Sequence, residues 1–439
     1  MAAIRVSRLV EGSKVAPAPL ALGMLTWVDD DGFDSLPSTG VLDALHGWER
    51  LIGVAAVEQA RAVRAFAARI IAERGPERGT LLLDEEITEE LALALRVSSA
   101  AAGAMVRFAD GLGILGSTGD ALASGSLGLS HARVLVDVLT SDDPLLDDDV
   151  RGRLEGLLVH YATTSPVTAG QLRRRAQRLL LTMDPDGAAG RREKACRRRY
   201  VSCRPDEHGM AWLSAYLPAQ DARACYETLD RHARATIGAE PDDDRGLGAR
   251  RADALVDRLL TGRLDGNAPE TGRAARDVRI DVTVPITVLA GESDAPGLLD
   301  GHGPIDAHLA RELAFAEDAT WRRLLTEPMS GTVLDVGTTR YRPPAGLDRY
   351  VRLRDQTCRW PGCTVPAQQC DLDHTVAYPD GPTSEDNLVA LCRRHHRLKT
   401  FAGFTTEQQG DGRWQVSTPT GRVIATGPPD LGPEEAPAA

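Results

Sequence analysis

Cysteine and histidine side chains crowd into the last fifth of this 439-residue chain, and their spacing constrains the fold of that segment more than any other feature does. Cys358 and Cys363 flank a Pro-Gly turn, which allows both thiolates to face one ion. Cys392 and His395 are three residues apart, and we predict that they share one face of a helix that opens at Asn387. Three thiolates and one imidazole complete a tetrahedral set that suits a structural Zn²⁺ ion best.

The length of this segment also favours a bound metal. From Cys358 to His396 it has only about 40 residues, too few to bury a sufficient apolar core, so a structural metal would supply folding free energy that the side chains cannot. The chain has 7 cysteines, and their clustering beside histidines indicates metal binding more than disulfides. Cys370 has no partner at ligand spacing, and we predict that it, Cys203 and Cys225 are small buried side chains.

A second group of side chains in the same segment has the parts for phosphodiester hydrolysis. Asp373 and His374 follow a strand-like stretch, which we expect to end or bulge there, since neighbours in a regular strand point to opposite faces. His374, whose imidazole titrates near neutrality, is the candidate general base for a water molecule. His396 is rotated about 100° around the predicted helix from the zinc ligand before it. We therefore expect Asp373 and His396 to hold a catalytic divalent cation (Mg²⁺, Mn²⁺ or Ni²⁺) against the scissile phosphate.

Two interpretations of Asn387 stay open. Its carboxamide oxygen has the chemistry to orient the His374 ring or to contact the cation, which would make it part of the catalytic set. It is equally suited to be the N-cap of the predicted helix, because Asn is favoured there and Leu388 begins the apolar pattern. The two roles are compatible with each other.

These residues, in this order, resemble the HNH endonucleases that have a ββα-metal fold and a zinc knuckle. The resemblance spans roughly residues 347–404 and rests on the cysteine pair, the Asp-His pair, the Asn and the Cys-x-x-His-His run. The family's name refers to the residues that match His374, Asn387 and His396. The resemblance implies metal-dependent hydrolysis of DNA. The first knuckle departs from the family's usual pattern, since four residues rather than two separate its cysteines.

The chain before this segment resembles the domain of unknown function 222, which precedes HNH modules in many actinobacterial proteins. Four stretches carry this resemblance: ELALALRVSSAAAG, GHGPIDAHLARELA, the segment Trp321-Arg322-Arg323-Leu324, and YRPPAGLDRYVRLRDQTC. It covers most of residues 35–340. It implies no established activity, so no catalytic residue is assigned from it.

Composition and periodicity predict an α+β protein that is mainly α-helical before the HNH module, with a small β component. Aromatic residues make up only 4% of the chain, which favours helices packed by small aliphatic side chains. Apolar spacing predicts helices over 41–74, 87–112, 129–139, 149–162, 166–183, 219–235, 249–262 and 305–316. Strands are predicted as a hairpin over 200–204 and 210–217, and over 278–289 and 332–336.

Four parts of the chain follow from these patterns. Residues 1–40 are expected to form a loosely ordered arm, and 41–340 a mainly helical domain of unknown function. Residues 345–404 are the predicted HNH nuclease module. Residues 405–439 are expected to form a short β segment and a disordered tail.

Charge and hydropathy limit the partners. The chain has 51 Lys and Arg against 63 Asp and Glu, a net charge of -12, so nucleic-acid binding must be local. We assign DNA contacts to four basic side chains around the last predicted helix: Arg393, Arg394, Arg397 and Lys399. No apolar run approaches the roughly 18 to 20 residues that span a bilayer, and no signal-peptide cleavage site is recognised. We therefore expect a cytoplasmic protein that does not associate with a membrane.

Three functions remain open at this point. The first is a metal-dependent HNH endonuclease that acts on DNA. The second is a non-catalytic, zinc-stabilised DNA-binding or interaction protein that uses the HNH fold as a platform. In the third, the helical domain binds a protein partner or a second copy of the chain, and the nuclease acts only with that partner. The Asp-His pair favours the first, because a binding platform has no need of it.

Overall fold

The computed structural model describes residues 33, 36–75, 80–140, 146–237, 245–261, 282–315, 343–378, 380–409 and 412–427. These residues are mainly helical, with small antiparallel sheets, which confirms the predicted α+β class. Most of the predicted arm, the predicted strand over 332–336 and the predicted tail beyond 427 lie outside the described residues.

Helices make up most of the first half of the described chain, and the second half combines shorter helices with small sheets. The helices of the described residues are α1 (Ser38–Arg74), α2 (Thr80–Leu95), α3 (Ser99–Ile114), α4 (Gly116–Ala123), α5 (Leu129–Leu139), α6 (Asp148–Thr164), α7 (Ala169–Met183), α8 (Pro185–Arg197), α9 (Ala219–Ala235), α10 (Leu247–Thr261), α11 (Ile286–Leu289), α12 (Ala307–Ala314), α13 (Ala345–Asp355) and α14 (Arg393–Phe401). The strands are β1 (Tyr200–Pro205), β2 (Ala211–Tyr216), β3 (Val282–Thr283), β4 (Gly297–Leu299), β5 (Gly303–Ile305), β6 (Asp371–His374), β7 (Leu388–Leu391), β8 (Thr405–Gln408), β9 (Trp414–Ser417) and β10 (Val423–Thr426).

The chain divides into two compact units. The first falls within Met1–Arg192, Arg359–Thr364 and Arg393–Gly427. The second falls within Glu193–Cys358, Val365–Cys392 and Pro428–Ala439. Each unit therefore combines an earlier stretch of chain with parts that follow residue 340.

The first unit contains a helical bundle whose core is almost entirely aliphatic. Leu115, Leu135, Leu154, Leu158 and Leu172 are fully buried in one cluster that joins α5, α6 and α7 to the earlier helices. Leucines at spacings of four on α6 place their side chains on one face, as the apolar periodicity predicted. The observed bounds of α5 are those predicted, and α1, α6 and α7 agree to within about three residues.

One predicted helix of the bundle is wrong. The stretch predicted as one helix over 87–112 is two helices, α2 and α3, bent by 115° relative to each other. Arg96 adopts a positive φ of 56°, and the hydroxyl of Ser98 accepts a hydrogen bond from the N–H of Ala101, so one helix ends and another is capped. Among the described residues, no single helix has the length and apolarity to cross a membrane. Those two helices meet that criterion only as a bent pair, by length and composition alone.

The second unit contains the β1–β2 hairpin, α9 and α10, and a three-stranded sheet in the order β3-β4-β5. The hairpin confirms the prediction, with a turn at His208 and Gly209, both at positive φ. The strand predicted over 278–289 is wrong beyond Thr283, because Pro285 lacks an N–H for a ladder and instead precedes α11. Residues 278–281 lie outside the described residues.

The predicted C-terminal module, residues 345–404, is divided between the two units, and its apolar cluster is smaller than that of the bundle. Leu347, Tyr350 and Val351 of α13 pack with Leu388 of the β6–β7 hairpin. The buried carboxylate of Asp355 accepts a hydrogen bond from the N–H of Ala390 at 2.8 Å, which ties α13 to β7. In chain order, two paired strands and a helix follow α13, which is the ββα order of the predicted module.

The helix predicted to open at Asn387 is wrong. Residues Leu388–Leu391 form β7, all four of them buried, and α14 begins only at Arg393. A short apolar run buried on both faces has no periodicity that distinguishes a strand from a helix, so the sequence pattern was ambiguous there. After α14, the strands β8, β9 and β10 form an antiparallel sheet with β9 in the middle.

Candidate metal centre

The structure brings the four predicted zinc ligands together. The ligand atoms of Cys358, Cys363, Cys392 and His395 all lie within 4.8 Å of one another. Cys363 is half-buried and the other three are buried. Three thiolates and an imidazole at this spacing are the donor set of a closed tetrahedral site. This Cys3His cluster could therefore hold a metal ion such as Zn²⁺.

The first pair of ligands is held by a closed backbone turn. The N–H of Cys358 donates to the carbonyl of Val365 at 2.8 Å, and the N–H of Cys363 donates to the carbonyl of Trp360 at 3.0 Å. Gly362 has a φ of 74°, a conformation that residues with a Cβ rarely adopt. The four residues between the cysteines thus form a turn that returns the second thiolate to the first.

The second pair is positioned differently from the prediction. Cys392 lies between β7 and α14, and His395 is in the first turn of α14, so the two do not share a helix face. The N–H of Cys392 donates to Sγ of Cys358 at 3.3 Å, which draws the end of β7 onto the first knuckle. Spacing predicted which four side chains come together, while the local structure that carries the second pair was predicted incorrectly.

Two side chains that the sequence analysis did not single out surround His395. Trp360, which lies between the first two cysteines, stacks on the His395 ring with 4.8 Å between centroids and 5° between planes. Its Nε1 donates to Oε1 of Glu89 at 2.8 Å, and Oε2 of Glu89 lies 3.4 Å from Nε2 of His395. Burial raises the pKa of Glu89, but the nearby side chains of His395, Arg394 and Ser99 outweigh this and lower the pKa overall.

Glu89 belongs to a row of glutamates on α2. Glu86, Glu89 and Glu90 are all buried. Arg74 donates to Glu86 at 2.8 Å, and the backbone and hydroxyl of Thr420 donate to Glu90 at 3.0 and 2.7 Å. A cluster of acidic residues on a helix is usually a solvated face, so no sequence signal could have identified these as buried.

The four basic residues assigned to DNA all lie on α14. Two of them approach carboxylates of α2: Nη2 of Arg394 lies 3.5 Å from Glu89, and Nη1 of Arg397 lies 3.3 Å from Glu85. Arg393 and Lys399 are on the same helix. The arrangement therefore places part of the predicted DNA-contacting surface against the protein's own acidic side chains.

The predicted catalytic residues of the hairpin lie where β6 ends. In the register of the two strands, Asp373 pairs with Val389 and His374 with Leu388. The strand ends at His374, as expected, and Nε2 of its ring lies 2.9 Å from Oγ1 of Thr383, which is buried. The hydrogen bond fixes one edge of the imidazole.

Asn387 closes the loop that joins β6 to β7. Its Oδ1 accepts from the N–H of Val376 at 2.8 Å, and its Nδ2 donates to the carbonyls of Val376 and Pro382 at 2.9 and 2.8 Å. The helix N-cap interpretation is wrong, since a strand follows Asn387. The side chain also makes its contacts with loop backbone rather than with the His374 ring.

His396 lies on α14, next to His395, and is half-buried. Within the described part of the chain, Asp373 and His396 do not belong to a group of three or more close ligand side chains. Cys370 is buried, as predicted, but the prediction for Cys203 and Cys225 is wrong: both are exposed, on a hairpin strand and on α9.

Comparison with known proteins identifies the larger part of the chain. Residues 54–355 match the family described as Domain of unknown function (DUF222). No HNH family matches, and no solved structure matches.

The relatives are mycobacterial. Uncharacterized protein Rv3776 of Mycobacterium tuberculosis is 34% identical over 323 residues, covering 64% of this chain and 59% of that protein. Uncharacterized protein Rv2100 of the same organism is 29% identical over 382 residues, covering 77% of this chain and 68% of that protein. The chain thus spans less than two thirds of the length of the first of these relatives. With the family match extending over more than half of its length, the chain belongs to the DUF222 family.

Proposed function

We propose that this chain is a metal-dependent endonuclease that hydrolyses phosphodiester bonds of DNA, with His374 as the general base. The observation that supports this most is the setting of His374, an imidazole at the end of β6 that follows Asp373 in the sequence. Its Nε2 is held 2.9 Å from Thr383, in a loop that the Asn387 side chain closes. A catalytic base needs such orientation, because its rate contribution depends on geometry before it depends on pKa.

Each of the proposed site residues has a distinct role. With Nε2 directed at Thr383, we assign Nδ1 of His374 as the atom that accepts the proton of the attacking water. Asp373 and His396 are the proposed ligands of a divalent cation, which when bound would offset the charge on the leaving oxygen. The Cys3His cluster has a structural role, since four protein ligands leave a tetrahedral ion no open position for water.

The test is a plasmid-nicking assay on the full chain with added Mg²⁺, Mn²⁺ or Ni²⁺. We expect His374→Ala to lower the nicking rate roughly 100- to 10,000-fold, the contribution of a general base, with zinc content and DNA affinity nearly unchanged. Thr383→Val replaces the hydroxyl that contacts His374 with a methyl group, so it should reduce the rate less and shift the pH–rate profile. The matched control is His208→Ala, an exposed histidine in the β1–β2 turn. Equal nicking by wild type and His374→Ala would refute the assignment.

The alternative is a non-catalytic DNA-binding or interaction protein, and one observation favours it. Arg394 and Arg397, assigned to DNA, approach Glu89 and Glu85 instead. An α14 engaged in this way suits a module whose partner is protein. Wild type that binds DNA but does not cut it with any of the three cations would support a binding platform, and wild type that does neither would support an interaction role.

A further inference from the structure

Glu89 is a charged side chain that exposes none of its surface. Removing a carboxylate from water costs several kcal/mol unless its oxygens are hydrogen-bonded or paired. Two groups donate hydrogen bonds to the oxygens of Glu89, Nε1 of Trp360 at 2.8 Å and Oγ of Ser99 at 3.0 Å. Nε2 of His395 at 3.4 Å and Nη2 of Arg394 at 3.5 Å lie at ion-pair distance from the same carboxylate. This carboxylate is therefore part of a specific buried network.

Two members of that network belong to the metal centre. His395 is one of the four clustered ligands, and Trp360 is in the turn that carries the first cysteine pair. Trp360 stacks on the His395 ring almost in parallel, and Glu89 contacts both side chains. The plane and the direction of the imidazole are thus set from two sides.

We propose that Glu89 is a positioning residue for the metal, holding His395 with Nε2 toward the carboxylate and Nδ1 toward the ion. A carboxylate that accepts the second N–H of a ligand imidazole fixes the tautomer and makes the ligand nitrogen more basic. Because Nε2 lies 3.4 Å from the Glu89 carboxylate, we assign Nδ1 as the nitrogen that would bind the ion. The role requires the metal centre but not the nuclease activity, so it stands or falls independently of the proposed reaction.

This assignment gives α2 a function. Glu89 lies within the DUF222 match, whereas all four ligands follow residue 355, where the match ends. Metal affinity would therefore depend on a helix that is far from the ligands in the sequence, and loss of the ion should in turn loosen that helix. Such linkage follows because metal binding and the order of the residues that support it share one free energy.

The test is a competitive Zn²⁺ titration of the full chain against a chromogenic chelator. We expect Glu89→Gln to raise the Kd for Zn²⁺ by roughly 10- to 100-fold, the usual cost of losing such a partner. Glu86→Gln is the matched control, since Glu86 is also fully buried on α2 but pairs with Arg74. The control should change the Kd by less than about 3-fold on the same scale. Equal effects of the two substitutions, or no effect of Glu89→Gln, would overturn the proposal.

A second measurement decides the matter if Glu89→Gln does not fold. Hydrogen exchange of wild type is compared before and after removal of Zn²⁺ by the chelator. Peptides of α2 should exchange faster without the metal, while those of α5 should not change. Unchanged protection of the α2 amides would overturn the proposal, because a helix that helps to hold the metal should be less stable once the metal is removed. Glu89→Asp, which keeps the charge but shortens its reach, should fall between wild type and Glu89→Gln in Zn²⁺ affinity.

Discussion

The helical bundle and the predicted C-terminal module differ in the side chains that can stabilise them. The bundle buries leucines from several helices in one continuous cluster, in which Leu135 and Leu158 are fully enclosed. The apolar cluster of the module consists of Leu347, Tyr350, Val351 and Leu388, with Leu372 packed against it. The module adds what the bundle core lacks, a set of four metal ligands. We therefore expect the stability of the bundle to depend on the volume of its buried side chains, and the stability of the module to depend on a bound metal.

The largest expected effect is on the module. Cys392→Ser should abolish zinc binding and unfold residues 345–404, because structural zinc contributes on the order of 10 kcal/mol to small domains that depend on it. Elemental analysis and limited proteolysis would measure the two consequences. Most of the helical circular dichroism should remain, since the bundle has its own core. Cys203→Ser, at an exposed cysteine, is the control and should change neither measurement. A Cys392→Ser variant that keeps both its metal and its protease resistance would show that residues 345–404 do not depend on a metal held by Cys392.

The second effect is on the bundle. Leu135→Ala should lower the free energy of unfolding by about 2–5 kcal/mol, through lost burial and the cavity left behind, while zinc content is unchanged. Urea denaturation followed by circular dichroism would measure it. The control is Leu181→Ala on α7, where the side chain is 61% exposed and the expected loss is below about 1 kcal/mol. Similar losses at the two positions would mean that the bundle core is not the source of its stability.

The two regions also differ in how far their sequence predicts them. Periodicity located most bundle helices closely, because an aliphatic stripe at spacings of three and four fits a helix and does not fit a strand. It failed at Ser98, where the break depends on one cap and one positive φ. In the module, ligand spacing predicted which four side chains meet, since tetrahedral coordination requires few other features. It did not predict β7, whose short apolar run fits either structure.

Glu89 illustrates a deeper limit. Its neighbours in the sequence are acidic and helical, which indicates a solvated face. What makes it buried is the presence of Trp360 and His395, about 270 and 300 residues later in the chain. Contacts of such separation leave no periodic signal in a single sequence. The predicted N-cap role of Asn387 was wrong for the same reason: the partners of its side chain lie in a loop whose path the sequence does not define.

The third effect separates the metal from the hairpin within the module. Asn387→Ala should destabilise the loop over 375–387 by about 1–3 kcal/mol, because a buried carboxamide that makes three hydrogen bonds to backbone is lost. Zinc content should be unchanged, since no ligand is touched. Hydrogen exchange of the loop peptides would show the change. If Asn387→Ala lowers both the zinc content and the hydrogen-exchange protection of the loop, the hairpin and the metal centre form one cooperative element.

The smallest effect concerns the charges of the bundle itself. Burial raises the pKa of Asp110 on α3 above its usual 3.8, the charge of Asp84 raises it further, and Arg64 only partly compensates. Glu89, on the same helix as Asp84, has the opposite shift, because the side chains of His395, Arg394 and Ser99 stabilise its ionised form. On the side of α2 near the metal ligands, the acidic side chain of Glu89 therefore has stabilising partners. Where α2 faces α3, the acidic side chains of Asp84 and Asp110 repel each other.

The sign of the pH effect follows from this shift. The folded protein holds the Asp110 proton more tightly than the unfolded chain does, so the favourable contribution is present below the unfolded pKa of 3.8 and is lost as the pH rises through the folded pKa. At pH 7 the ionised carboxylate destabilises the bundle, so Asp110→Asn should raise the free energy of unfolding, and with it Tm. The gain should be no more than about 1 kcal/mol, since the group is partly exposed and screened. The gain should shrink as the pH falls toward 4. Asp137→Asn is the contrasting control, because Asp137 pairs with Arg173 and its loss should leave Tm unchanged or lower. A lower Tm for Asp110→Asn at pH 7 would mean that this carboxylate has a compensating cation, as Glu89 does.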